Sequence, residues 1–304
     1  MTTATQTGAP RSMASRPPEL EEWLNGRLIH PLSDRLTDAL VPTGITPNMV
    51  SAFGVISSVG AGVFYAMPGW PLTTAIAFLF HLGWHVLDGA DGDLARRTGK
   101  SSPSGEIVDG ICDYLSHIVV YAALAWVLSV QIGPWAWVLA LAAGASRAVQ
   151  ANHYESARRT YQWWVYGVPW IRQNLGADAL PPAGWPRLRA RLARGYLTIS
   201  RWASADDSAL VAEHDQLIGT AAADAARDLY ARTYLPLVKR ASWLGALHET
   251  QAVFVAMLLG GPLGVGPLYL FLYELVVLNG VMALSIQAQK RANAKLAREL
   301  AALG

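Results

Sequence analysis

The sequence predicts an all-α integral membrane bundle of about six transmembrane helices, and three observations carry that expectation. Of the 304 residues, 52% are hydrophobic and only 15% are charged. Asp, Glu, Lys and Arg are absent from positions 39–87, 114–146 and 250–273. A helix of about twenty apolar residues crosses a bilayer, and Met67-Pro68-Gly69, Gly133-Pro134 and Gly260-Gly261-Pro262 punctuate the apolar stretches into pairs. The spans are expected near 49–67, 71–91, 107–130, 134–154, 243–260 and 266–289.

Taken in order, residues 1–18 are small, polar and Pro-containing, without the pattern of a secretory signal, and are expected to be a disordered tail. Within 19–45, Leu20, Trp23, Leu24, Leu28, Leu32, Leu36 and Leu40 fall near one helical face, interrupted at Pro31. This is an amphipathic interfacial helix, which can lie along a membrane or against the protein's own face. Thr46-Pro47-Asn48 follows as a cap for the first span. The membrane domain then occupies 46–154 and 241–290, and Trp residues, 12 in all, suit interfacial anchoring or core packing.

The segment 155–240 departs from a minimal six-helix plan. It holds 12 of the 24 Lys and Arg but 8 of the 22 acidic residues, with a Pro181-Pro182-Ala183-Gly184 loop between helical pieces. Trp163, Trp164, Trp170 and Trp202 among Arg187, Arg189, Arg191 and Arg194 suit a cytoplasmic helical insertion resting on anionic headgroups. The tether to a membrane argues against nucleic acid as a partner. Residues 291–304 end the chain as a basic helix whose Arg291, Lys295 and Arg298, with Lys290 before them, suit the interface. With this topology the Lys and Arg residues share one side, which the positive-inside rule makes cytoplasmic. The single cysteine, Cys112, has no intrachain disulfide partner and suits packing.

Four carboxylates stand in this apolar setting. Asp88 and Asp91 are three residues apart and Asp109 and Asp113 four apart, so each pair projects from one face of its own helix. Ionised carboxylates in a membrane span are costly without compensating charge. Hard oxygen ligands suit Mg²⁺ or Mn²⁺, and two such ions are a common device for handling phosphate esters. Gly92 and Ala95 leave room on the Asp91 side, Gly105 opens the second helix similarly, and Arg96 offers a planar fork that matches phosphate.

The order Asp88, Asp91, Gly92, Ala95, Arg96, Gly105, Asp109, Asp113, at this fixed spacing, resembles the signature of the CDP-alcohol phosphotransferase family of phospholipid synthesis. The resemblance implies two divalent metals, Mg²⁺ or Mn²⁺, held by Asp88, Asp91, Asp109 and Asp113, with Asp113 as the base. It implies a CDP-linked lipid or alcohol donor bound by Gly92, Ala95, Arg96 and Gly105, with Asn48 as a further contact from the Pro-Asn pair. An acceptor hydroxyl would then attack the donor's β-phosphate and release CMP. A homodimer in a bacterial inner membrane, its site facing the cytoplasm, is also implied.

Within the family two types are open. The tract from Ala95 to Ser116 is similar to the choline and ethanolamine phosphotransferases, which pass a phospho-headgroup to a lipid alcohol, although Gly110 stands where those enzymes carry His. A six-span plan is instead similar to bacterial phosphatidyltransferases using CDP-diacylglycerol. Arg147, Arg158 and Arg159 are placed to select a phosphorylated acceptor, and His85 lies one turn before Asp88. His81, His117, His153 and His248 read as packing or hydrogen-bonding residues. A divalent cation transporter would also explain mid-membrane carboxylates, but it accounts for neither the glycines nor Arg96, and a silent scaffold would be expected to have lost an aspartate.

Overall fold

A computed structural model of the chain describes residues 17–168 and 220–302, with 191, 194, 216 and 217 between them. Most of the expected disordered tail and much of the insertion, including Trp170, Trp202, Arg187 and Arg189, lie outside the described residues. The described elements are all helical: α1 (His30–Leu40), α2 (Pro47–Ala66), α3 (Leu72–Arg97), α4 (Pro103–Ile132), α5 (Trp135–Tyr166), α6 (Ala223–Ala241), α7 (Ala246–Gly260), α8 (Gly266–Leu272) and α9 (Asn279–Ala301). A π-helical turn, Tyr273–Leu278, joins α8 to α9, and another, Asn25–Ile29, leads into α1.

Local chemistry sets these boundaries. Thr46 caps α2 by accepting a hydrogen bond from the Met49 amide, with Pro47 at the first helical position, where a missing N–H costs nothing. Ser102 does the same for α4 through the Gly105 amide, again with a Pro next in line. Between α7 and α8 the chain reverses so tightly that a Cβ on Gly260 would lie 2.4 Å from the Gly266 nitrogen, so only glycine fits there.

Helices lie over all six expected spans, but only four stretches among the described residues are long and apolar enough to cross a membrane on composition: Pro47–Ala66, Ser104–Ile132, Ala223–Leu263 and Gly266–Ala301. The other two, α3 and α5, carry the buried polar residues His81, His85 and Asp91, and Arg147, Gln150 and His153. Their polar content belongs to the protein interior, where neighbouring helices supply partners in place of lipid. Outward-facing apolar side chains such as Val130, Leu141 and Leu79 form the belt expected against hydrocarbon.

Two cores result. Within the expected membrane region, α2, α4, α5, α7 and α8 meet around Tyr65, Leu124, Leu128, Val253 and Phe271. Beyond it, α5 continues past the expected end of its span at 154 to Tyr166, and there α6 and α9 pack on it. Trp164, Tyr230 and Tyr234 stack in series with ring centroids 4.4 and 4.3 Å apart. The described part of the insertion is thus joined to the bundle through a shared aromatic core, and Trp164, expected on headgroups, is buried in it.

The amphipathic helix α1 crosses α3 just beneath the aspartates. Ser33 donates to the Val86 carbonyl at 2.9 Å and Thr37 to the Ser33 carbonyl, both hydroxyls buried, while Leu28, Leu32 and Trp23 remain exposed. Its small polar edge and Leu36 and Leu40 pack on the protein, while Trp23, Leu28 and Leu32 face outward. Pro31 sits in the first turn of α1, where it is tolerated.

Candidate functional site

The site is assembled where the C-terminal third of α3 meets the N-terminal third of α4. Asp88 and Asp91 come from α3, Asp109 and Asp113 from α4, and oxygens of Asp88, Asp109 and Asp113 lie within 4.8 Å of one another. The Asp88 and Asp113 carboxyls touch, as do those of Asp91 and Asp109. Like charges this close demand protons or cations between them. Asp109 Oδ1 is buried and has no hydrogen-bond partner, and an orphaned carboxylate oxygen facing two other carboxylates is what a hard divalent cation completes. The residues present therefore fit a metal. Asp91 is held from behind by Ser51 Oγ of α2 at 2.5 Å, a partner supporting a ligand as metal sites require.

Around this cluster the other expected residues take varied places. Gly92 faces its own helix neighbour: a Cβ there would meet the Arg96 guanidinium at 3.4 Å. Arg96 is exposed and folds back onto Asp93 in an ion pair, at the rim of the site. Ala95 is half-buried between them, Gly105 lies in the first turn of α4 under the Ser102 cap, and Asn48 is exposed at the start of α2. These residues thus lie near the N-termini of α2 and α4 and the C-terminal end of α3.

Behind the aspartates a cavity of about 660 Å³ runs between α4 and α5. Asp88, Asp109 and Asp113 stand at one part of its wall, Glu155, Arg158 and Arg159 at another, and Ile118, Trp137 and Leu141 at its apolar side. Ile118 and Leu141 are largely exposed on the surface that faces hydrocarbon. Small residues of α5, Ala140, Gly144, Ala145 and Ala148, leave the width open. The result is one chamber with a carboxylate pole and an apolar flank.

The expected acceptor residues line this chamber but are engaged. Arg147 is buried, donating to Glu249 Oε2 at 3.1 Å and to the Leu244 carbonyl at 2.7 Å, with Nη2 left unpartnered. Arg158 grips Glu155 in a fork at 2.7 and 2.8 Å, and Arg159 pairs with the same carboxylate. Burial would raise the Glu155 carboxyl, but the two guanidiniums outweigh it and hold it below the usual carboxylate range. His85 bonds the Thr250 hydroxyl at 2.8 Å. Several site residues escape sequence reasoning: Ser51 is 40 positions from its partner Asp91, and Glu249 is 102 from Arg147 and farther still from His117. No local spacing signals such pairs; a lone Glu beside a charge-free stretch is the only trace.

An all-α membrane bundle with a cation-competent carboxylate cluster at the head of an amphiphilic chamber defines the class. Residues 44–169, which contain all four aspartates, match the profile of the CDP-alcohol phosphatidyltransferase domain, which supports a place for this part of the chain in that family. It is an integral membrane protein. Curated relatives are similar over about a third of the chain. An uncharacterized CDP-alcohol phosphatidyltransferase class-I family protein 2 of Dictyostelium discoideum is 32% identical over 102 residues, 31% of this chain and 24% of that protein. A phosphatidylinositol phosphate synthase of Mycobacteroides abscessus is 30% identical over 95 residues, covering 31% and 42%. A cholinephosphotransferase 1 of Gallus gallus is 33% identical over 118 residues, covering 38% and 34%. The alignments span less than half the length of each of these relatives.

Proposed function

We propose that the chain transfers a substituted phosphate group from a CDP-linked donor to an alcohol acceptor, releasing CMP, in phospholipid synthesis. The observation that carries this reading is the orphaned Asp109 oxygen among touching carboxylates at the head of a chamber that is polar at one end and apolar at the flank. Asp88, Asp91, Asp109 and Asp113 would hold Mg²⁺ or Mn²⁺, which when bound neutralises charge on the transferred and leaving phosphate oxygens. Ser51 fixes Asp91, so that the ligand set is rigid before substrate arrives. Gly92, Ala95, Gly105 and Asn48 give the nucleotide a close approach to backbone, and Arg96 can leave Asp93 for a diphosphate oxygen. Asp113, reaching both the cluster and the chamber, would meet and orient the entering hydroxyl.

Two acceptor classes follow from the family, and one observation separates them. A phosphorylated polar acceptor would have to compete with Glu249 for Arg147 or with Glu155, which Arg158 and Arg159 share, for a guanidinium. This favours headgroup transfer from a CDP-alcohol to a neutral lipid alcohol, in keeping with the cholinephosphotransferase relatives, over transfer of phosphatidyl from CDP-diacylglycerol to a polar phosphate. Positive charge on the α3–α4 and α9 ends supports a site that faces the cytoplasm. The test is CMP release from CDP-choline or CDP-diacylglycerol by the chain in lipid nanodiscs, against pooled lipid and polar alcohols. Turnover with CDP-alcohol and diacylglycerol supports the reading; turnover only with CDP-diacylglycerol and a sugar phosphate reverses the acceptor assignment. Metal uptake into sealed vesicles without CMP release from any donor would sink the reading altogether.

A further inference from the structure

One turn deeper than Asp113 on α4 stands His117, and its surroundings are built rather than incidental. Its Nδ1 is 3.1 Å from Glu249 Oε2 of α7, and the same carboxylate oxygen takes the Arg147 Nε from α5. The Trp84 ring of α3 meets the imidazole edge-on at 5.1 Å. With Nδ1 committed to a carboxylate and the ring braced, the tautomer that carries its proton on Nδ1 is favoured, leaving Nε2 with a lone pair. His117 lines the same chamber as Asp88, Asp109 and Asp113, with its side chain 21% exposed, and a four-residue step on a helix is roughly 6 Å. An imidazole backed by a buried carboxylate therefore faces the volume an acceptor hydroxyl must cross to reach the aspartates.

We propose that His117, positioned by Glu249 and Arg147, is the proton acceptor for the entering alcohol. A carboxylate that ligates metal is a weak base, so Asp113 is better suited to orienting the hydroxyl than to keeping its proton. In the step, the acceptor O–H gives its proton to His117 Nε2 and its oxygen forms a bond to the donor's β-phosphorus. The bond from that phosphorus to the bridging oxygen breaks, and its electron pair leaves with CMP. The imidazolium formed is matched by Glu249, and it returns its proton to water once the product departs. Arg147 Nη2 and Glu249 Oε1 are both buried beside the pair without a hydrogen-bond partner. Charged and titratable groups around His117 are Asp88, His81 and His85 from α3, Asp109, Asp113 and Tyr121 on its own helix, Arg147 from α5, Glu249 from α7 and Glu274 behind Tyr121.

This inference rests on the proposed transferase activity, and the experiment separates the two. Wild type, His117→Gln and His117→Ala are assayed in nanodiscs with Mg²⁺, with CDP-choline and diacylglycerol and with CDP-diacylglycerol and polar alcohols, from pH 5 to 9. Metal-induced thermal stabilisation reports whether each variant is folded. Expected are a kcat lower by ~10²–10⁴-fold in His117→Gln with a donor KM little changed. The acid limb of the kcat profile should vanish in that variant, because a base must be unprotonated and the rate rises as it loses its proton. Added imidazole should restore part of the rate in His117→Ala. Wild-type kcat in His117→Gln, or a reduced kcat that keeps the same acid limb and ignores imidazole, overturns the inference while leaving the transferase reading intact. Absence of CMP release from wild type with every pair removes the transferase reading and this inference with it.

Discussion

At the scale of single residues, the aspartates behave as the spacing along the chain suggests, because i, i+3 and i, i+4 steps fix which face a side chain occupies. The structure adds inequality among them. Asp91 is tied to Ser51, whereas Asp109 keeps an unpartnered oxygen. Asp109→Asn should therefore raise the melting temperature in metal-free buffer, since it removes one of several like charges in contact, and should abolish the further rise on adding Mg²⁺ or Mn²⁺. Wild type should gain on the order of 3 kcal/mol at 100 times the dissociation constant, read by thermal shift with and without metal. Ser51→Ala should cost about 1–2 kcal/mol and weaken metal binding without abolishing it, measured by the same titration. Ser51, Glu249 and the pairing of His117 are not legible from the sequence, because their partners come from other helices and only the fold brings them together.

At the scale of elements, charge-free stretches and Gly-Pro punctuation are a sufficient guide to the helices over the expected spans, since backbone polar groups in a bilayer leave few alternatives to helix. The same signal weakens for α3 and α5, whose interior polar residues dilute their apolar character. It fails for the continuation of α5 to Tyr166, where the helix is held by packing on α6 and α9 rather than by lipid. Tyr230, buried in the aromatic series between Trp164 and Tyr234, is the keystone of that contact. Tyr230→Ala should cost ~3–5 kcal/mol, seen as a lower melting temperature and faster proteolysis of the 155–240 segment. The Glu155 pairs on α5 give a pH signature. Their contribution is full above the ordinary carboxyl value of 4.5 and is lost as pH falls through the lower folded-state value. Because Glu155 is 37% exposed, solvent screening keeps it small. Acid unfolding should begin at higher pH in Arg158→Ala than in wild type, followed by tryptophan fluorescence.

At the scale of the whole molecule, two cores are joined by α5, α9 and the helices between them, with the carboxylate cluster on α3 and α4 at the head of the chamber shared by α4 and α5. This arrangement explains why strongly polar chemistry can sit in so apolar a chain: Asp88, Asp109 and Asp113 line a protein chamber, Asp91 is buried beside them, and the exposed apolar side chains turn outward. Filling the chamber should separate donor from lipid acceptor. Gly144→Phe, projecting from α5 into the lining, should raise the lipid KM several-fold while leaving metal stabilisation unchanged, whereas equal effects on both would place Gly144 in the general packing. The central claim, that the four aspartates form a divalent-metal site for phosphate-group transfer, is tested most directly by CMP release from a CDP-linked donor in nanodiscs as metal is withdrawn with EDTA and then restored. The account predicts release that stops on withdrawal, returns with Mg²⁺ or Mn²⁺, and is absent throughout in Asp113→Asn. Release that persists without divalent metal, or at the wild-type rate in Asp113→Asn, would contradict it.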